Sequence, residues 1–391
     1  MAAVTTGLER LINEPNRWLS EERLGLLCNP ASVDRQFRHA RTLVDRTFTK
    51  KLQALYSPQH GFFAEKQDNM IESADMIDPV LKIPVFSLYG NTRVPTEHML
   101  ETIDALLVDL QDVGTRVYTF IYTLSYCLET ARKSGVRVLV LDRPNPINGV
   151  DIEGNCLAPE CASFVGRYPI PMRHGMTIGE LARLINEYFD IGCELTVVPM
   201  SGWRRTMRHE ETGLPWVAPS PNMPTPITAL VYPGQVVWEG TNLSEGRGTA
   251  LPFELFGAPY LDLENILSFL GGQELPGVIL RPTVFEPTSN KWSATACKGF
   301  QIHIRDPLIY RPYRTTLQIL QSVIFHHEDR FEWKPPPYEY EFDRMPIDLI
   351  MGDREVRQRL EAFEPIGQIE ASWQADLDQF RTIRRSYLLY K

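Results

Sequence analysis

Short apolar runs alternate with segments of helical spacing along the first half of the chain. Six of these runs, rich in Leu and Val, predict buried strands over residues 24–28, 52–56, 85–88, 106–109, 136–142 and 194–199. Between them, apolar positions recur every three or four residues and predict helices over about 33–46, 96–104, 116–134 and 177–190. Thr177 and Glu180 have the spacing of a capping box at the start of the last one. Strands that alternate with helices predict a parallel sheet with right-handed crossovers.

The pattern changes after Tyr260. Helical spacing over about 262–270 and 314–327 flanks two strand-like runs at 278–284 and 299–304. We therefore predict an α/β fold: a Rossmann-like, mostly parallel sheet domain over residues 1–258, followed by a smaller α+β domain over residues 259–391. A chain of 391 residues is long enough for two such cores.

Polar side chains follow several of the predicted strands at the sheet edge where open α/β folds bind ligands. They are Asn29, Gln59, His60, Asp109, Gln111, Asp112, Asp142 and Arg143. The first strand is not followed by a Gly-x-Gly-x-x-Gly turn, and no phosphate-binding Gly-x-x-x-x-Gly-Lys-Ser/Thr occurs. The sequence therefore gives no support to a nicotinamide or nucleoside triphosphate cofactor, and we expect none.

The charge and composition favour a small-molecule partner. The net charge is −9 and no long Lys/Arg block occurs, which argues against nucleic acid. No apolar run approaches the roughly 18–20 residues of a membrane span, and the first residues are too polar for a signal peptide. The six cysteines have neither zinc nor disulfide spacing. We expect a cytoplasmic protein with reduced thiols, and the sequence leaves its oligomeric state open.

The richest polar segment runs from Glu239 to Arg247 and also carries Asn242, Glu245 and Gly246. A proline-rich segment over 216–226 is expected to run as an extended wall beside it. Cleavage of a glycosidic bond needs a protonated carboxyl group and a second carboxylate. Glu239 and Glu245 are one candidate pair. The competing carboxylates are Glu65, Asp109, Asp112 and Asp142.

Ordered motifs over nearly the whole chain give a more specific indication. They include Ser57-Pro-Gln-His-Gly61, Asp109-Leu-Gln-Asp-Val-Gly-Thr-Arg116, Leu141-Asp-Arg-Pro-Asn145, Arg167-Tyr-Pro-Ile-Pro-Met-Arg173-His-Gly, Pro219-Ser-Pro-Asn222 and Glu239-Gly-Thr-Asn-Leu-Ser-Glu245-Gly-Arg. In these motifs the chain resembles the exo-β-N-acetylmuramidases, glycoside hydrolases long catalogued as a domain of unknown function. The resemblance implies a cleft between two domains and release of N-acetylmuramic acid from the non-reducing end of peptidoglycan fragments.

Residue chemistry and this resemblance together define the candidate site. The catalytic candidates are Glu65, Glu239 and Glu245. The candidates for substrate binding are Gln59, His60, Asp109, Gln111, Asp112, Asp142, Arg143, Asn145, Arg167, Arg173, His174, Asn222, Asn242 and Arg247. Among them, Arg143, Arg167, Arg173 and Arg247 are expected to offer guanidinium groups to the lactyl carboxylate of muramic acid.

The chain departs from the family pattern at one position, because Gln59 stands where many members have a glutamate. An amide cannot transfer a proton, so we expect Glu65 to compensate. Two alternatives to a glycosidase remain. One is a sugar-binding protein that has lost catalysis, and the other is a metal-assisted hydrolase in which carboxylates together with His60 and His174 bind a divalent ion. We expect no metal.

Overall fold

The computed structural model describes residues 4–20, 22–271 and 275–391. The strands are β1 (Leu24–Cys28), β2 (Leu52–Ser57), β3 (Met76–Ile77), β4 (Pro84–Ser87), β5 (Ala105–Asp109), β6 (Arg137–Leu141), β7 (Glu153–Cys156), β8 (Pro171–Arg173), β9 (Leu195–Val198), β10 (Leu255–Ala258), β11 (Val278–Phe285) and β12 (Cys297–Ile304). The helices are α1 (Gly7–Asn13), α2 (Pro15–Trp18), α3 (Ala40–Thr47), α4 (Glu97–Leu100), α5 (Phe120–Ser134), α6 (Ile178–Tyr188), α7 (Pro226–Gln235), α8 (Leu263–Leu270), α9 (Pro312–His326), α10 (Pro346–Met351), α11 (Arg354–Glu361), α12 (Ile366–Ser372) and α13 (Gln374–Arg384). Within these described ranges, none of the helices is long and apolar enough to cross a membrane.

The first sheet has seven strands in the order β3-β4-β2-β1-β5-β6-β9. All neighbouring strands are parallel except β3, which pairs antiparallel with β4. The central strands β1 and β5 are buried along their whole length, which explains why they appear in the sequence as unbroken apolar runs. The predicted parallel α/β sheet is confirmed.

A second sheet has the antiparallel order β10-β12-β11. Along the chain, α8 lies between β10 and β11 and α9 follows β12, and the two helices pack against each other. The predicted smaller α+β unit is confirmed by this arrangement. The boundary at residue 258 stays a prediction, and β10, which ends at that residue, pairs with β12 in the second sheet. Helix α7 precedes it and packs against α9. Residues before 258 therefore already contact the C-terminal unit.

The direction of strand order reverses between β1 and β5, the place where doubly wound sheets usually bind their ligand. In this chain the crevice is occupied by its own residues. The side-chain amide of Asn29, after β1, donates to the carbonyl of Pro219 at 2.8 Å. Pro215 and Trp216 line a small cavity together with Gln111 and Arg143, which follow β5 and β6. The proline-rich segment thus fills the usual ligand position.

Asp142, at the end of β6, is buried and anchors two distant parts of the chain. Its Oδ1 accepts from the backbone N–H of Gly179 at 2.8 Å, and its Oδ2 accepts from the hydroxyls of Thr177 at 2.8 Å and Tyr390 at 2.5 Å. Thr177 and Glu180 form the predicted capping box of α6. Burial raises the pKa of Asp142 to about 7. Asp142 therefore fixes α6 and the C-terminal tail.

We expect Asp142→Asn to make stability less dependent on pH. The raised pKa means that the unfolded chain loses this proton at lower pH than the folded protein, so unfolding becomes easier as pH rises from about 4 to about 7. Asn is a matched neutral replacement, because the hydroxyls of Thr177 and Tyr390 can accept from its amide. Urea unfolding at pH 5, 6, 7 and 8 should show the variant gaining stability relative to the wild type, by a total of about 1–4 kcal/mol.

Asp104→Asn serves as the control. Hydrogen bonds from Arg23 hold the pKa of exposed Asp104 at about 2, so its substitution should change stability by the same amount at each of these pH values. A constant difference between Asp142→Asn and the wild type from pH 5 to pH 8 would contradict the assignment.

Candidate active site

A polar pocket lies beside the filled crevice, at the carboxyl ends of β2 and β5. It is bordered by the proline-rich segment, by the 3₁₀ turn Val236–Gly240 that follows α7, and by residues just before α10. The polar side chains that line it belong to Gln59, His60, Asn69, Tyr118, Thr119, Ser220, Asn222, Tyr232, Glu239, Arg247, Tyr338 and Glu339. Both halves of the chain therefore build the pocket.

Glu239 is a buried carboxylate with three hydrogen-bond donors. Its Oε1 accepts from Arg247 Nη2 at 2.7 Å, and its Oε2 accepts from the Tyr338 hydroxyl at 2.8 Å and from Asn69 Nδ2 at 3.1 Å. Burial by itself raises the pKa of Glu239, but the charge and hydrogen bond of Arg247 and the hydrogen bond of Tyr338 bring it below its usual value. Glu239 is thus ionised at neutral pH.

Glu245 contacts Arg247, the guanidinium that binds Glu239. Its Oε1 lies 3.2 Å from Arg247 Nε, and its Oε2 lies 2.8 Å from Lys291 Nζ. Lys291 also donates to the carbonyls of Trp238 and Leu243, at 2.7 Å and 2.9 Å. Glu245 does not line the pocket. Its contact with Arg247 holds that guanidinium in place, and the predicted catalytic role of Glu245 stays a prediction.

Glu339 is the second carboxyl group that lines the pocket. Its donors are neutral: Gln59 Nε2 donates to Oε1 at 3.0 Å, and the Tyr89 hydroxyl donates to Oε2 at 2.5 Å. Burial raises the pKa of Glu339 above its usual value; the two hydrogen bonds oppose this only in part, and the charge of Glu239 adds to it. The pKa values of the two carboxyl groups in the pocket are therefore shifted in opposite directions: that of Glu239 is lowered and that of Glu339 is raised.

The turn that carries Glu339 has unusual backbone geometry. Glu339 and Tyr340 both have positive φ angles, 46° and 67°. Tyr338 and Glu341 exchange hydrogen bonds between their backbones at 3.0 Å and 2.9 Å, which closes a two-residue hairpin. Positive φ at both central positions is costly for residues other than glycine, and strain of this kind is often found at functional sites.

Gln59 and His60 follow β2 and lie in the pocket as predicted. The Thr119 hydroxyl donates to Gln59 Oε1 at 2.7 Å, so the amide nitrogen of Gln59 faces Glu339. His60 Nδ1 lies 2.8 Å from the carbonyl of Lys66, which can only accept, so this nitrogen carries the proton. Burial lowers the pKa of His60 to about 4. His60 is therefore a neutral ring.

The structure brings five of the predicted site residues to this pocket: Gln59, His60, Asn222, Glu239 and Arg247. It does not bring Glu65 there. The Glu65 side chain is exposed and turns back toward its own loop, where its Oε2 accepts from the backbone N–H of Phe63 at 3.3 Å. Glu65 is therefore not in a position to compensate for Gln59.

Residues after β5 and β6 contact one another and do not line the pocket. Arg143 binds Asp109 through two hydrogen bonds, at 2.6 Å and 2.8 Å, in a fully buried pair. Asp112 accepts from the backbone of Gly114 at 2.7 Å and lies 3.3 Å from His174 Nε2. Gln111 donates to the carbonyls of Asp112 and Pro144. These side chains brace the strand ends, and their predicted role in substrate binding stays a prediction.

Four further candidates have structural partners elsewhere. Asn145 bridges the carbonyl of Met176 and the N–H of Ile147, and Asn242 donates to the carbonyl of Arg330 and accepts from Tyr260. Arg167 pairs with Glu129 and stacks on Tyr126, whereas Arg173 is fully buried beside Asp151. Of the four predicted arginines, only Arg247 lines the pocket.

Asn69, Tyr338 and Glu339 also line the pocket but were not among the residues predicted from the sequence. The segment Lys334-Pro-Pro-Pro-Tyr-Glu-Tyr-Glu341 contained the available signal, because aromatic and acidic residues alternate after a rigid stretch there. In the part of the chain that the structure describes, no group of three or more His, Cys, Asp or Glu side chains is placed to hold a metal ion.

A wider groove of about 660 Å³ opens next to the pocket. Asn222 and Arg247 line both of them, and the groove continues along Gln67, Asp68 and the backbone around Thr288. Asn222 Nδ2 donates to the carbonyl of Gln67 at 2.8 Å and so fixes the edge between the two spaces. The site is thus a small polar pocket with a wider polar groove at one side.

Comparisons with known proteins agree with this architecture. The family model described as the N-terminal domain of the exo-β-N-acetylmuramidase NamZ matches residues 24–227, and the C-terminal model matches residues 230–390. The chain is 42% identical over 387 residues to the peptidoglycan β-N-acetylmuramidase NamZ of Bacillus subtilis strain 168, covering 99% of this chain and 91% of the relative. The family resemblance predicted from the motifs is confirmed.

Two crystal structures of DUF1343 family proteins from Bacteroides fragilis NCTC 9343 have the same fold. One has a TM-score of 0.89 at 34% identity and covers 100% of both chains. The other has a TM-score of 0.78 at 27% identity and covers 100% of this chain and 99% of its own.

The loop that forms one wall of the pocket is held by Arg116. This buried guanidinium donates from Nη1 to the carbonyl of Asn155 at 2.8 Å, and from Nη2 to the carbonyls of Ile350 at 3.0 Å and Met351 at 2.6 Å. The last two residues end α10, so Arg116 joins the first sheet to the C-terminal unit.

We expect Arg116→Lys to lower the free energy of unfolding by about 3 kcal/mol, because one ammonium cannot reach all of these carbonyls and leaves some of them buried without a donor. Urea unfolding measures the loss. Arg167→Lys is the matched control: that side chain is 21% exposed and contacts only nearby groups, and its replacement should cost about 1 kcal/mol or less. Equal losses for the two variants would contradict the role of Arg116.

Proposed function

The chain belongs to the exo-β-N-acetylmuramidase NamZ family, and from this premise we propose that it releases N-acetylmuramic acid from the non-reducing end of peptidoglycan fragments. It is a glycoside hydrolase, in keeping with its 42% identity to the Bacillus subtilis enzyme over 99% of the chain. The observation that supports the proposal most directly is the pair of carboxyl groups, Glu239 and Glu339, that line one pocket.

The volume of the pocket is about 30 Å³, whereas that of the adjoining groove is about 660 Å³. We therefore place the terminal sugar where the pocket opens into the groove at Asn222 and Arg247, with the remainder of the glycan along the groove. Glu239 is the carboxylate that remains charged, so we assign it to the face of the anomeric carbon. There it stabilises the positive charge that develops as the glycosidic bond breaks.

Arg247 is the proposed partner of the lactyl carboxylate. Its Nη2 and Nε are engaged by Glu239 and Glu245, whereas among the described residues the hydrogen bond that Nη1 makes is a long one, 3.5 Å to the carbonyl of Gln67. That nitrogen retains hydrogen-bonding capacity at the junction of pocket and groove. A carboxylate bound there distinguishes a muramide from a glucosaminide, which lacks the lactyl group.

The proposed activity is tested with an aryl β-N-acetylmuramide and the matching β-N-acetylglucosaminide. We expect the muramide to be the preferred substrate. We also expect Glu239→Gln, which keeps the shape but removes the charge, to lower kcat for the muramide by about 10²- to 10⁴-fold while the protein remains folded by circular dichroism. No hydrolysis of either substrate by the wild-type protein would refute the proposed function.

Arg247→Lys should change the preference between the two substrates. Lysine keeps a positive charge near Glu239 but cannot hold two carboxylates and still offer an N–H to a third. Loss of one charged hydrogen bond corresponds to about a tenfold or larger fall in kcat/KM for the muramide relative to the glucosaminide. The ratio separates lactyl recognition from a general defect in Glu239, which would lower both values together and leave their ratio unchanged.

A further inference from the structure

Position 59 poses a chemical problem for the proposed reaction. The leaving oxygen of a glycoside needs a proton, and Gln59, although it lies in the pocket, has no proton to transfer at neutral pH. Glu65 is exposed on its own loop, and Glu245 lies behind Arg247. Among the described residues that line the pocket, the carboxyl groups are Glu239 and Glu339.

These two carboxyl groups have different donors. Glu239 contacts the guanidinium of Arg247, which favours the ionised form. Glu339 contacts an amide and a phenol, both neutral, and its side chain is almost fully buried. Burial raises its pKa, so the protonated form is favoured. A glycosidase requires one carboxyl group in each of these states.

We propose that Glu339 is the general acid of this enzyme and that Gln59 is a positioning residue that orients its carboxyl group. This inference rests on the proposed function and deepens it. As the bond between the anomeric carbon and the glycosidic oxygen breaks, its electron pair goes to the oxygen, which takes the proton of Glu339. The resulting carboxylate then accepts a proton from the water that attacks the anomeric carbon, and Glu339 is neutral again.

The local geometry supports this assignment independently of protonation. Thr119 fixes the amide of Gln59, which donates to Oε1 of Glu339 at 3.0 Å. The hairpin from Tyr338 to Glu341 has two successive residues, Glu339 and Tyr340, at positive φ. It supplies one of the two carboxyl groups, Glu339, and a donor to the other, Glu239. The hydroxyl of Tyr338 donates to Glu239, whereas the carboxyl group of Glu339 accepts from Gln59, which follows β2.

The charged and titratable groups around Glu339 determine its pH behaviour. Those that face it are Tyr89, Arg93, Tyr232, Glu239, Tyr338 and Tyr340. The guanidinium of Arg93 opposes protonation, but it stacks on the ring of Tyr340, 3.5 Å from the centroid. Since the acid must be protonated, activity should fall as pH rises through the pKa of Glu339, and Glu339→Gln should abolish that alkaline limb.

The decisive experiment varies the leaving group. Aryl β-N-acetylmuramides with phenol and with 2,4-dinitrophenol as leaving groups are compared in the wild type and in Glu339→Gln. Phenol is a poor leaving group and needs a proton from the general acid as the bond breaks, whereas 2,4-dinitrophenol is a good leaving group and departs without that proton. We expect kcat/KM to fall about 10²- to 10⁴-fold for the phenyl substrate and less than about tenfold for the dinitrophenyl substrate. A merely structural role for Glu339 would lower both equally, and that result would overturn the inference.

Glu341→Gln is the control on the same hairpin. Its side chain pairs with Arg344 at 3.0 Å and lies outside the pocket, so both substrates should be hydrolysed as by the wild type. Folding of each variant is checked by thermal unfolding. Glutamine at position 339 can accept from Gln59 and donate to Tyr89, so its hydrogen bonds are preserved.

Exchanging the two side chains gives a second test. The double variant Gln59→Glu/Glu339→Gln keeps one carboxyl group and one amide at hydrogen-bonding distance. We expect it to regain at least about tenfold of the kcat/KM that Glu339→Gln loses on the phenyl substrate. A double variant as slow as Glu339→Gln would contradict the position assigned to the pair. A wild-type protein without muramidase activity would instead refute the proposed function, so the two failures are distinguishable.

Discussion

Unequal hydrogen bonding to two buried carboxyl groups governs this site. Removing a carboxyl group from water favours its neutral form, and only a cation or several donors can reverse that preference. Glu239 has Arg247, Tyr338 and Asn69 as donors, whereas Glu339 has only Gln59 and Tyr89. In one pocket, the pKa of Glu239 is therefore lowered and that of Glu339 is raised.

The pocket does not lie in the crevice between β1 and β5, where doubly wound sheets usually bind their ligand. The crevice between β1 and β5 is filled by the proline-rich segment, which is held by the amide of Asn29. The pocket lies instead beside the ends of β2 and β5, where α7 and the 338–341 hairpin reach the first sheet. Arg116 ties the two units together, so the carboxyl groups from the C-terminal half keep their positions against Gln59.

Much of the fold could be predicted from the sequence because its signals are local. Apolar runs identified β1 and β5, and the Thr177 and Glu180 spacing identified the start of α6. The motifs also placed Gln59, His60, Asn222, Glu239 and Arg247 in the site, since ordered motif loops converge at one sheet edge.

Some residues lie elsewhere than the sequence predicted, because their positions depend on contacts that no local sequence pattern indicates. Glu65 follows Gln59 closely in sequence, yet its side chain turns back on its own loop. Asp109 and Arg143 look like ligand-binding residues at strand ends but neutralise each other. Glu339 lies 280 residues from Gln59, and only the packing of the two units brings them together.

A crystal structure of Glu339→Gln with an intact muramic-acid-terminated disaccharide would test the central claim most directly. If Glu339 is the general acid, the side-chain amide at position 339 lies within about 2.6–3.2 Å of the glycosidic oxygen, with Glu239 on the side of the anomeric carbon. A glycosidic oxygen that instead lies against another ionisable side chain, with residue 339 out of hydrogen-bonding reach, would contradict it.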